Sequence, residues 1–392
     1  MEKNGVNNNE KKSVVLWEAL SEIAGGQRVC LDVLRALRED FNIYVFGPAR
    51  GRFSEAVERE GGFFYELPFQ SYSLIRKNAS DLIKFAMDTP RVIKNASEII
   101  KKINASVIYA SSTRVFPWSA LAGEKTSVPV IWHIHNMLAD WKTKALIRYF
   151  SKKNSVKIIL SDSSATGAQY GRLPKAITTI YNGVDLSRFY PNDAFRREMR
   201  SEFQIPEDAV VAGTISDLIP HKGQKTFIEA MAQVLKESKN VYGLIVGRAR
   251  EGFEWYEKEL REIVANKGIE KQIIFTGFRK DIEKILNGMD ILVVPSYSSE
   301  SFPLIILEGL ACGTSILASA FSGMLEVVEE GINGFLFPIS DCNKLATNIL
   351  LFAKNRKMLK ETKDNCVKIA KEKYDMNIFN GKIKELFLSI TD

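Results

Sequence analysis

The chain has 392 residues, of which 45% are hydrophobic and 26% are charged, and its formal net charge is +7. This length predicts two domains, each with its own hydrophobic core, and no apolar run reaches the roughly 18–20 residues of a membrane-spanning helix. The charge is uneven, because residues 1–190 hold 27 Lys and Arg against 18 Asp and Glu, whereas residues 191–392 hold 27 against 29. We therefore expect the first half to face any acidic partner.

The start of the chain and its cysteines predict a cytoplasmic protein. Residues 1–12 are polar and are expected to be disordered, without the charged and then apolar segments of a secretory signal. None of the four cysteines belongs to a C-x-x-C pair, and three histidines give little basis for a metal site. We expect reduced thiols and no bound metal, which suits the cytoplasm.

In the first half, short apolar strands alternate with amphipathic helices. The first helix is predicted at residues 29–40, and the strand candidates are residues 13–16, 42–47, 106–112, 129–135, 157–163 and 176–183. The second half repeats the alternation, with strand candidates at residues 209–216, 241–247, 272–277, 291–296 and 314–319. Such alternation predicts parallel, doubly wound sheets and an α/β fold class.

The segment between the halves is rich in turn formers. Asn182-Gly183 is a turn signal and Pro191 ends the segment before another helix, so we predict a hinge near residues 182–192. The tail from Asp375 to Asp392 has a helical pattern.

Residues 287–338 contain the strand–loop–helix unit on which the functional prediction depends. The run from Ile291 to Val294 is short and β-branched, as in a strand buried on both faces of a parallel sheet. Pro303 is predicted to open the next helix and Gly313 to end it. A right-handed strand–helix–strand unit places the loop between them at the carboxyl edge of the sheet.

Two glutamates accompany this loop. Glu300 precedes the helix and Glu308 lies inside it, while the free amides of a first helical turn attract a phosphate. Pro303 has no N–H, so the donors are predicted to be those of Phe302, Leu304 and Ile305. Carboxylates suit a phosphate that is joined to sugars, because a carboxylate can accept hydrogen bonds from the sugar hydroxyls. The alternative is a pair of ordinary surface glutamates.

Glu300 and Glu308 form an E-x7-E pattern in ESFPLIILEGLACGTSILAS, and GGQRV, HIHN, YNGVD, PHKGQ and INGFLFPISD also occur along the chain. These motifs resemble those of the family-4 retaining glycosyltransferases, in the family's order and over nearly the whole chain. The resemblance implies the GT-B fold, with two facing Rossmann-like domains. The acceptor-side domain would span residues 13–185 and the nucleotide-sugar-binding domain residues 186–375, with a helix at 376–392 crossing back onto the first.

The resemblance also implies roles for residues of the second domain. Glu300 would contact the transferred sugar, Glu308 the ribose hydroxyls and Lys222 the diphosphate. The family commonly has an arginine five residues before this lysine, but the residue here is Asp217, which would repel phosphate. Asp217 must turn away or be compensated by another cation, for which Arg248 is our candidate. Lys222 could otherwise be a solvated surface lysine.

The nucleotide base would lie against the loop after the strand at 272–277. The family binds the base with backbone atoms of this loop, which corresponds to Gly277 and Phe278. Phe278 could stack on the base, and core packing is the alternative.

In the first domain, Gly25 and Gly26 lie in the first strand-to-helix loop, where glycine allows a ligand to approach the backbone. The family's loop touches donor and acceptor, and an ordinary tight turn is the alternative. The family's His-Asp motif matches His135-Asn136, so His135 would contact the donor sugar or the leaving group. We expect His133 and His135 to point to opposite faces, with His133 a structural residue.

Two basic series in the first half could bind an anionic membrane, and an ordinary solvated face is the alternative. The first series comprises Lys77, Lys84, Arg91, Lys94, Lys101 and Lys102, at near-helical spacing interrupted by Pro90. The second lies between Trp141 and Lys157 and comprises Lys142, Lys144, Arg148, Lys152, Lys153 and Lys157. A membrane-bound protein would be peripheral on the inner face, and its acceptor would be a lipid-linked sugar.

The resemblance thus implies a retaining, hexosyltransferase-type enzyme that moves a sugar from a UDP- or GDP-sugar to a glycan or lipid-linked acceptor, in cell-surface polysaccharide or glycoconjugate biosynthesis. No cofactor other than the donor is implied, and without a D-x-D motif no divalent metal is implied either. Two alternatives stay open: a non-catalytic protein of this fold that binds a sugar nucleotide or a partner transferase, and a sugar-nucleotide epimerase. No recognition-helix motif or zinc spacing supports nucleic-acid binding.

Overall fold

The computed structural model describes residues 11–69, 79–138, 140–298 and 300–391. The chain divides into two compact units. The first unit takes in the described residues up to Asp162, residues Gly167–Ile180 and the end of the chain from Asn380. The second unit comprises Ser163–Thr166 and Tyr181–Phe379. The expected disorder of residues 1–12 falls almost wholly outside the described residues, and the carbonyl of Lys12 accepts from the Asn42 amide at 3.0 Å.

In the described part of the first unit, seven parallel strands form one sheet in the order β3-β2-β1-β4-β5-β6-β7. The strands are β1 Ser13–Trp17, β2 Asn42–Gly47, β3 Phe63–Glu66, β4 Ala105–Ala110, β5 Val130–Ile134, β6 Val156–Ser161 and β7 Ile177–Thr179. The helices are α1 Gly25–Leu37, α2 Arg52–Arg59, α3 Ala79–Lys102, α4 Phe116–Thr126 and α5 Trp141–Phe150, and the short α6 Ser164–Ala168 is divided between the two units.

The described part of the second unit has a parallel sheet of six strands in the order β10-β9-β8-β11-β12-β13. The strands are β8 Val210–Ile215, β9 Val241–Val246, β10 Ile273–Gly277, β11 Ile291–Val294, β12 Ser315–Ser319 and β13 Gly334–Phe337. The helices are α7 Asp193–Glu202, α8 Gln224–Glu237, α9 Glu254–Asn266, α10 Ile282–Gly288, α11 Leu304–Ala311, α12 Met324–Val327, α13 Cys342–Lys354 and α14 Arg356–Lys373. The final helix, α15 Met376–Thr391, begins in the second unit and continues in the first.

Both sheets reverse their strand order once, and this reversal is where open α/β sheets bind ligands. In the first sheet it lies between β1 and β4, and in the second between β8 and β11. The central strands are largely apolar and buried, and β11 is buried at every residue, because helices cover both faces of such sheets. The prediction of two doubly wound parallel sheets is therefore confirmed.

The final helix contributes to the first unit from Asn380 onward. Phe387 packs its ring against those of Phe41 and Tyr109, at centroid distances of 6.4 and 5.8 Å. Lys384 pairs with Asp40 at 2.8 Å. Apolar packing and an ion pair thus hold the end of the chain onto the first sheet's own helices and strands.

The two basic series are less regular than the sequence suggested. Pro90 lies inside α3 without ending it, and Lys77 lies outside the described residues. The second series is helical only as far as Phe150, so Lys152 and Lys153 stand in the following turn and Lys157 on β6. In the part of the chain that is described, no helix is both long and apolar enough to cross a bilayer.

A buried ion cluster fixes the start of β11. Asp290 is almost fully buried, and its carboxylate pairs with Arg200 at 2.8 Å, Arg196 at 3.1 Å and Lys363 at 2.8 Å. It also accepts from the Val211 amide at 2.9 Å. Burial alone would raise the pKa of Asp290, but the three cations outweigh it and lower the pKa to about 2. The cluster joins α7 and α14 to the strands β8 and β11.

Candidate functional site

The loops after β8 and β11 meet at the carboxyl edge of the second sheet, on either side of its reversal. The amide of Tyr297 donates to the carbonyl of His221 at 3.0 Å. Gly223 has φ +75°, and a Cβ there would lie 2.0 Å from the carbonyl oxygen of Pro295. Only glycine fits such a position, so Gly223 allows the two loops to approach.

This approach brings Lys222 to Glu300. The ammonium group pairs with Glu300 Oε1, which also accepts from the Ser296 hydroxyl at 3.0 Å. Both side chains are partly buried, with exposed fractions of 24% for Lys222 and 13% for Glu300. The two residues predicted to contact phosphate and sugar are therefore neighbours, although 78 positions separate them in the sequence.

The helix after Glu300 begins one residue later than expected. Pro303 is the residue before the helix, and α11 starts at Leu304. The Phe302 ring is buried and stacked on Tyr181 at a centroid distance of 5.1 Å, so its side chain anchors the loop. The amides of Leu304 and Ile305 occupy the first turn, whose N–H groups have no acceptor within the helix. Glu308 lies within α11 and is 5% exposed.

Asp217 has a cation partner, but it is not Arg248. Nη2 of Arg250 lies 2.5 Å and its Nε 3.2 Å from Oδ2 of Asp217. Arg248 instead places its guanidinium 5.1 Å from the ring centroid of Phe278. Arg250 thus offsets the charge of Asp217, and the role of Arg248 toward the diphosphate stays a prediction.

The loop after β10 carries the predicted base-binding residues at the same sheet edge. Gly277 ends β10 with φ +70°. Phe278 is 58% exposed, so the core-packing alternative for its ring is wrong. Arg248 and Phe278 therefore form an exposed cation–π pair of the kind that can hold a planar ligand.

His221 adds a further titratable group beside Lys222. Its ring is half-buried, and burial together with the charge of Lys222 lowers the pKa of His221 below its ordinary value. The imidazole of His221 is therefore neutral near pH 7.

In the first unit, Gly25 and Gly26 open α1 rather than a tight turn. A Cβ added at either would meet no atom of the chain within 4 Å. The chain's own packing therefore leaves space beside this backbone, at the carboxyl edge near the reversal of the first sheet.

A buried carboxyl group lies beneath this loop and was not predicted. Glu18 is fully buried and accepts from the Ser111 hydroxyl, from Gln27 Nε2 at 2.8 Å and from the Ala19 amide at 3.0 Å. Burial raises the pKa of Glu18 although these donors lower it. Its place directly after β1 was the one signal in the sequence that could have identified it.

The two histidines lie against each other, so the expectation that they point to opposite faces was wrong. Their ring centroids are 3.8 Å apart, because residues two apart in a strand lie on the same face. Nδ1 of His133 is 2.6 Å from the hydroxyl oxygen of Tyr109. Burial lowers the pKa of His135 to about 3 and that of His133 well below its ordinary range, so both rings are neutral near pH 7.

The remaining expectations concern thiols and metals. All four cysteines are free thiols. Among the described residues, no group of three or more His, Cys, Asp or Glu is arranged to hold a metal ion.

Two family models match the chain and together cover most of it. The model described as Glycosyltransferase Family 4 matches residues 23–188. The model described as Glycosyl transferases group 1 matches residues 195–373. The chain belongs to glycosyltransferase family 4.

Relatives of this family-4 member differ in their named reactions. It is 26% identical over 244 residues to a D-inositol 3-phosphate glycosyltransferase of Saccharomonospora viridis, covering 56% of each chain. It is 23% identical over 305 residues to the N-acetyl-alpha-D-glucosaminyl L-malate synthase of Bacillus anthracis, covering 76% of each. The chain spans between 40% and 58% of the length of the D-inositol 3-phosphate glycosyltransferases that it matches.

Solved structures similar to this family-4 member share its fold. Alr3699/HepE of Anabaena, in complex with UDP, has a TM-score of 0.84 at 23% identity, covering 96% of this chain and 100% of that chain. A glycosyltransferase from Rickettsia africae has a TM-score of 0.82 at 19% identity, covering 97% and 99%. The predicted GT-B fold is confirmed.

Proposed function

We propose that this protein is a retaining, hexosyltransferase-type glycosyltransferase. It would transfer a sugar from a UDP- or GDP-sugar to a glycan or lipid-linked acceptor. The observation that carries the proposal is the pairing of Lys222 with Glu300 beside the first turn of α11, at the strand-order reversal of the second sheet.

The pairing suits a sugar joined to a diphosphate. On donor binding, the Lys222 ammonium would leave the Glu300 carboxylate and pair with a phosphate oxygen. The amides of Leu304 and Ile305 would donate hydrogen bonds to the same phosphate. Glu300, released from Lys222, would accept from hydroxyls of the transferred sugar. Glu308 would accept from the ribose hydroxyls.

The base would lie against the loop after β10. Gly277 supplies backbone atoms and has a positive φ, a conformation that favours glycine. Phe278 supplies an exposed ring. Arg248 lies over that ring and can approach either the base or the diphosphate. The complex of Alr3699/HepE with UDP-glucose makes uridine the first base to test.

The first unit would serve the acceptor and the reacting sugar. The open backbone at Gly25 and Gly26 leaves room for a ligand. His135 would contact the donor sugar or the leaving group as a neutral imidazole, since the pKa of His135 is about 3.

We propose a reaction without a divalent metal. Negative charge that develops on the leaving diphosphate would be stabilised by Lys222 and by the helix-end amides. The anomeric configuration would be retained because the acceptor hydroxyl attacks the sugar from the face that the diphosphate leaves. A diphosphate oxygen would take the proton of that hydroxyl.

We further propose that the first unit binds an anionic membrane surface, peripherally on its inner face. Trp141 and Tyr149 on α5, and Ile83 and Met87 on α3, expose large apolar side chains among the cations of the two basic series. Exposed apolar groups beside lysines are typical of interfacial helices. A lipid-linked acceptor in cell-surface polysaccharide or glycoconjugate synthesis would be presented at such a surface.

The proposal is tested by thermal unfolding in the presence of UDP, GDP, ADP and their sugar conjugates. A ligand that binds the folded state raises the melting temperature by mass action, and at about 100 times Kd it contributes about 2.7 kcal/mol. The ligand that binds is then incubated with acceptor glycans and lipids, while nucleotide diphosphate release is measured.

Three outcomes separate the proposed function from its alternatives. Release of nucleotide diphosphate with a glycosylated product supports a transferase, and the anomeric configuration of the product reports retention. Conversion of the donor to an isomer without diphosphate release would indicate an epimerase. Binding without turnover on any acceptor would favour a non-catalytic protein.

A further inference from the structure

A row of three polar side chains, two of them fully buried, crosses the carboxyl edge of the first sheet. Tyr109 on β4 and His133 on β5 are both fully buried, and their Oη and Nδ1 atoms lie 2.6 Å apart. The ring of His135 follows at 3.8 Å from that of His133. The row thus runs from the sheet interior to the one histidine that has a role in the proposed reaction.

The inner end of the row is fixed by packing. The rings of Tyr109 and His133 pack edge to face, with their centroids 5.8 Å apart and an interplanar angle of 74°. On another side the Tyr109 ring contacts Phe387 of α15 at a centroid distance of 5.8 Å. Held by both contacts, Tyr109 keeps its hydroxyl at one position, and the hydrogen bond then fixes the ring plane of His133.

We propose that His133 is a positioning residue for His135. Its ring, held by Tyr109, forms the wall against which the imidazole of His135 is set. The proposal rests on the proposed function, in which His135 contacts the donor sugar or the leaving group. A misoriented His135 ring would still allow nucleotide binding by the second unit but would slow the transfer step.

If His133 only filled space in the core, its hydrogen bond with Tyr109 would not be needed. An apolar side chain of similar volume fills a core without burying polar atoms that must find partners. A hydrogen-bonded histidine instead specifies one ring orientation, and orientation is what a neighbouring reactive group needs.

The test is a double-mutant cycle with His133→Phe, His135→Ala and the double variant. Nucleotide diphosphate release is measured with UDP-glucose, or with a GDP-sugar if the thermal panel selects guanosine, and UDP or GDP affinity is measured in parallel. His133→Phe is expected to lower the release rate about tenfold with nucleotide affinity unchanged. In the His135→Ala background it is expected to have no further effect, because it acts through His135.

A second variant keeps the test valid if His133→Phe does not fold. Tyr109→Phe removes only the hydroxyl and is expected to lower the rate about threefold, again only when His135 is present. Trp132→Phe is the matched control, because it removes another buried hydrogen bond of β5, to Ser119 at 3.0 Å, on the other face of the strand. Its rate should stay that of the parent protein.

Histidine NMR gives a readout that needs no ligand, since the chain has only three histidines. The imidazole signals of His135 should shift or broaden in both His133→Phe and Tyr109→Phe, while those of His221 stay in place. Equal rate losses from His133→Phe with and without His135 would overturn the positioning role. Full activity of His135→Ala would refute the proposed contact of His135 with the donor sugar or the leaving group. It would also refute the positioning role of His133, which depends on that contact.

Discussion

The ammonium group of Lys222 pairs with the carboxylate of Glu300 across the strand-order reversal of the second sheet. Lys222 follows β8 and Glu300 follows β11, and these two strands are direct neighbours in the sheet. The pair exists because two parallel strands that are distant in sequence release their loops at one edge. In the proposed function, the pair places a cation and a carboxylate where a bound sugar diphosphate would need both.

Replacing Lys222 by alanine should weaken nucleotide diphosphate binding at least tenfold and nearly abolish transfer. The reason is the loss of the positive charge that would face the diphosphate in the proposed complex, and tenfold corresponds to about 1.4 kcal/mol. Isothermal titration with UDP or GDP measures the change. Lys225→Ala is the control, because Lys225 is an exposed lysine nearby that pairs with Glu259 instead. Equal affinity in both variants would refute the role of Lys222.

Glu300→Gln should separate binding from chemistry. The substitution removes the negative charge but keeps a side chain of the same size, so nucleotide diphosphate affinity should stay within about threefold or rise, since Lys222 loses its competing partner. Transfer should nearly cease if Glu300 contacts the reacting sugar. Titration and product release, measured on the same preparation, check both halves, and full turnover would contradict the assignment.

Gly223→Ala should unfold or strongly destabilise the second unit. The position combines φ +75° with a carbonyl oxygen 2.0 Å from the new Cβ. Gly268→Ala is the matched control, because Gly268 has φ +64° but nothing within 4 Å. The control should cost about 1–2 kcal/mol from backbone conformation alone, and Gly223→Ala should cost clearly more. Urea unfolding measures both, and equal losses would show that the loops can separate without cost.

The sequence predicted most of the strands because the central ones are short, largely apolar and largely buried. Residues 42–47 were predicted as a strand and form β2 with the same bounds, and β11 fills residues 291–294 of its predicted segment. The strands β3 and β13 were not placed individually. The residues of β3 are only partly covered, with Phe63 exposed, so the apolar pattern that marks a buried strand is weak there.

The site was predicted only as far as motifs identify single residues. Lys222 and Glu300 could be named, but their contact depends on the strand order of the sheet, which no local pattern contains. The pairing of Asp217 with Arg250 was not predicted, because Arg248 and Arg250 are two residues apart in an irregular loop, and side-chain direction there is set by tertiary contacts such as that of Arg248 with Phe278. Glu18 was missed because a lone glutamate after a strand usually lies in solvent.

Membrane binding should depend on the cations around α5. If the proposed membrane contact exists, Lys142, Lys144 and Lys152 would each contribute about 1 kcal/mol to it, so their joint replacement by glutamate should abolish sedimentation with phosphatidylglycerol vesicles at low salt. The control variant replaces Lys357, Lys360 and Lys368, which are exposed on α14, and should sediment like the parent chain. Absence of parent binding, or equal loss in both variants, would end the membrane proposal.

Asp290→Asn should destabilise the protein by about 3–5 kcal/mol near neutral pH, because it leaves a cluster of buried cations without its carboxylate. The pKa of Asp290 is about 2 in the folded chain, against an ordinary value of 3.8. A depressed pKa gives stability that is present above the unfolded value and is lost as pH falls towards the folded one. The advantage of the parent over Asp290→Asn should therefore shrink between about pH 4 and pH 2.

Urea unfolding of the parent and of Asp290→Asn, at steps from pH 6 to pH 2.5, measures the difference between their free energies of unfolding. The contributions of the other acidic groups are the same in both proteins and cancel in this difference. The pKa shift alone accounts for on the order of 2 kcal/mol of it, and loss of the paired geometry accounts for the rest. Asp364→Asn, an exposed change on α14 next to Lys363, should show no such dependence. An advantage that stayed constant down to pH 2.5 would mean that the Asp290 carboxylate does not hold α7 and α14 to the sheet through its charge.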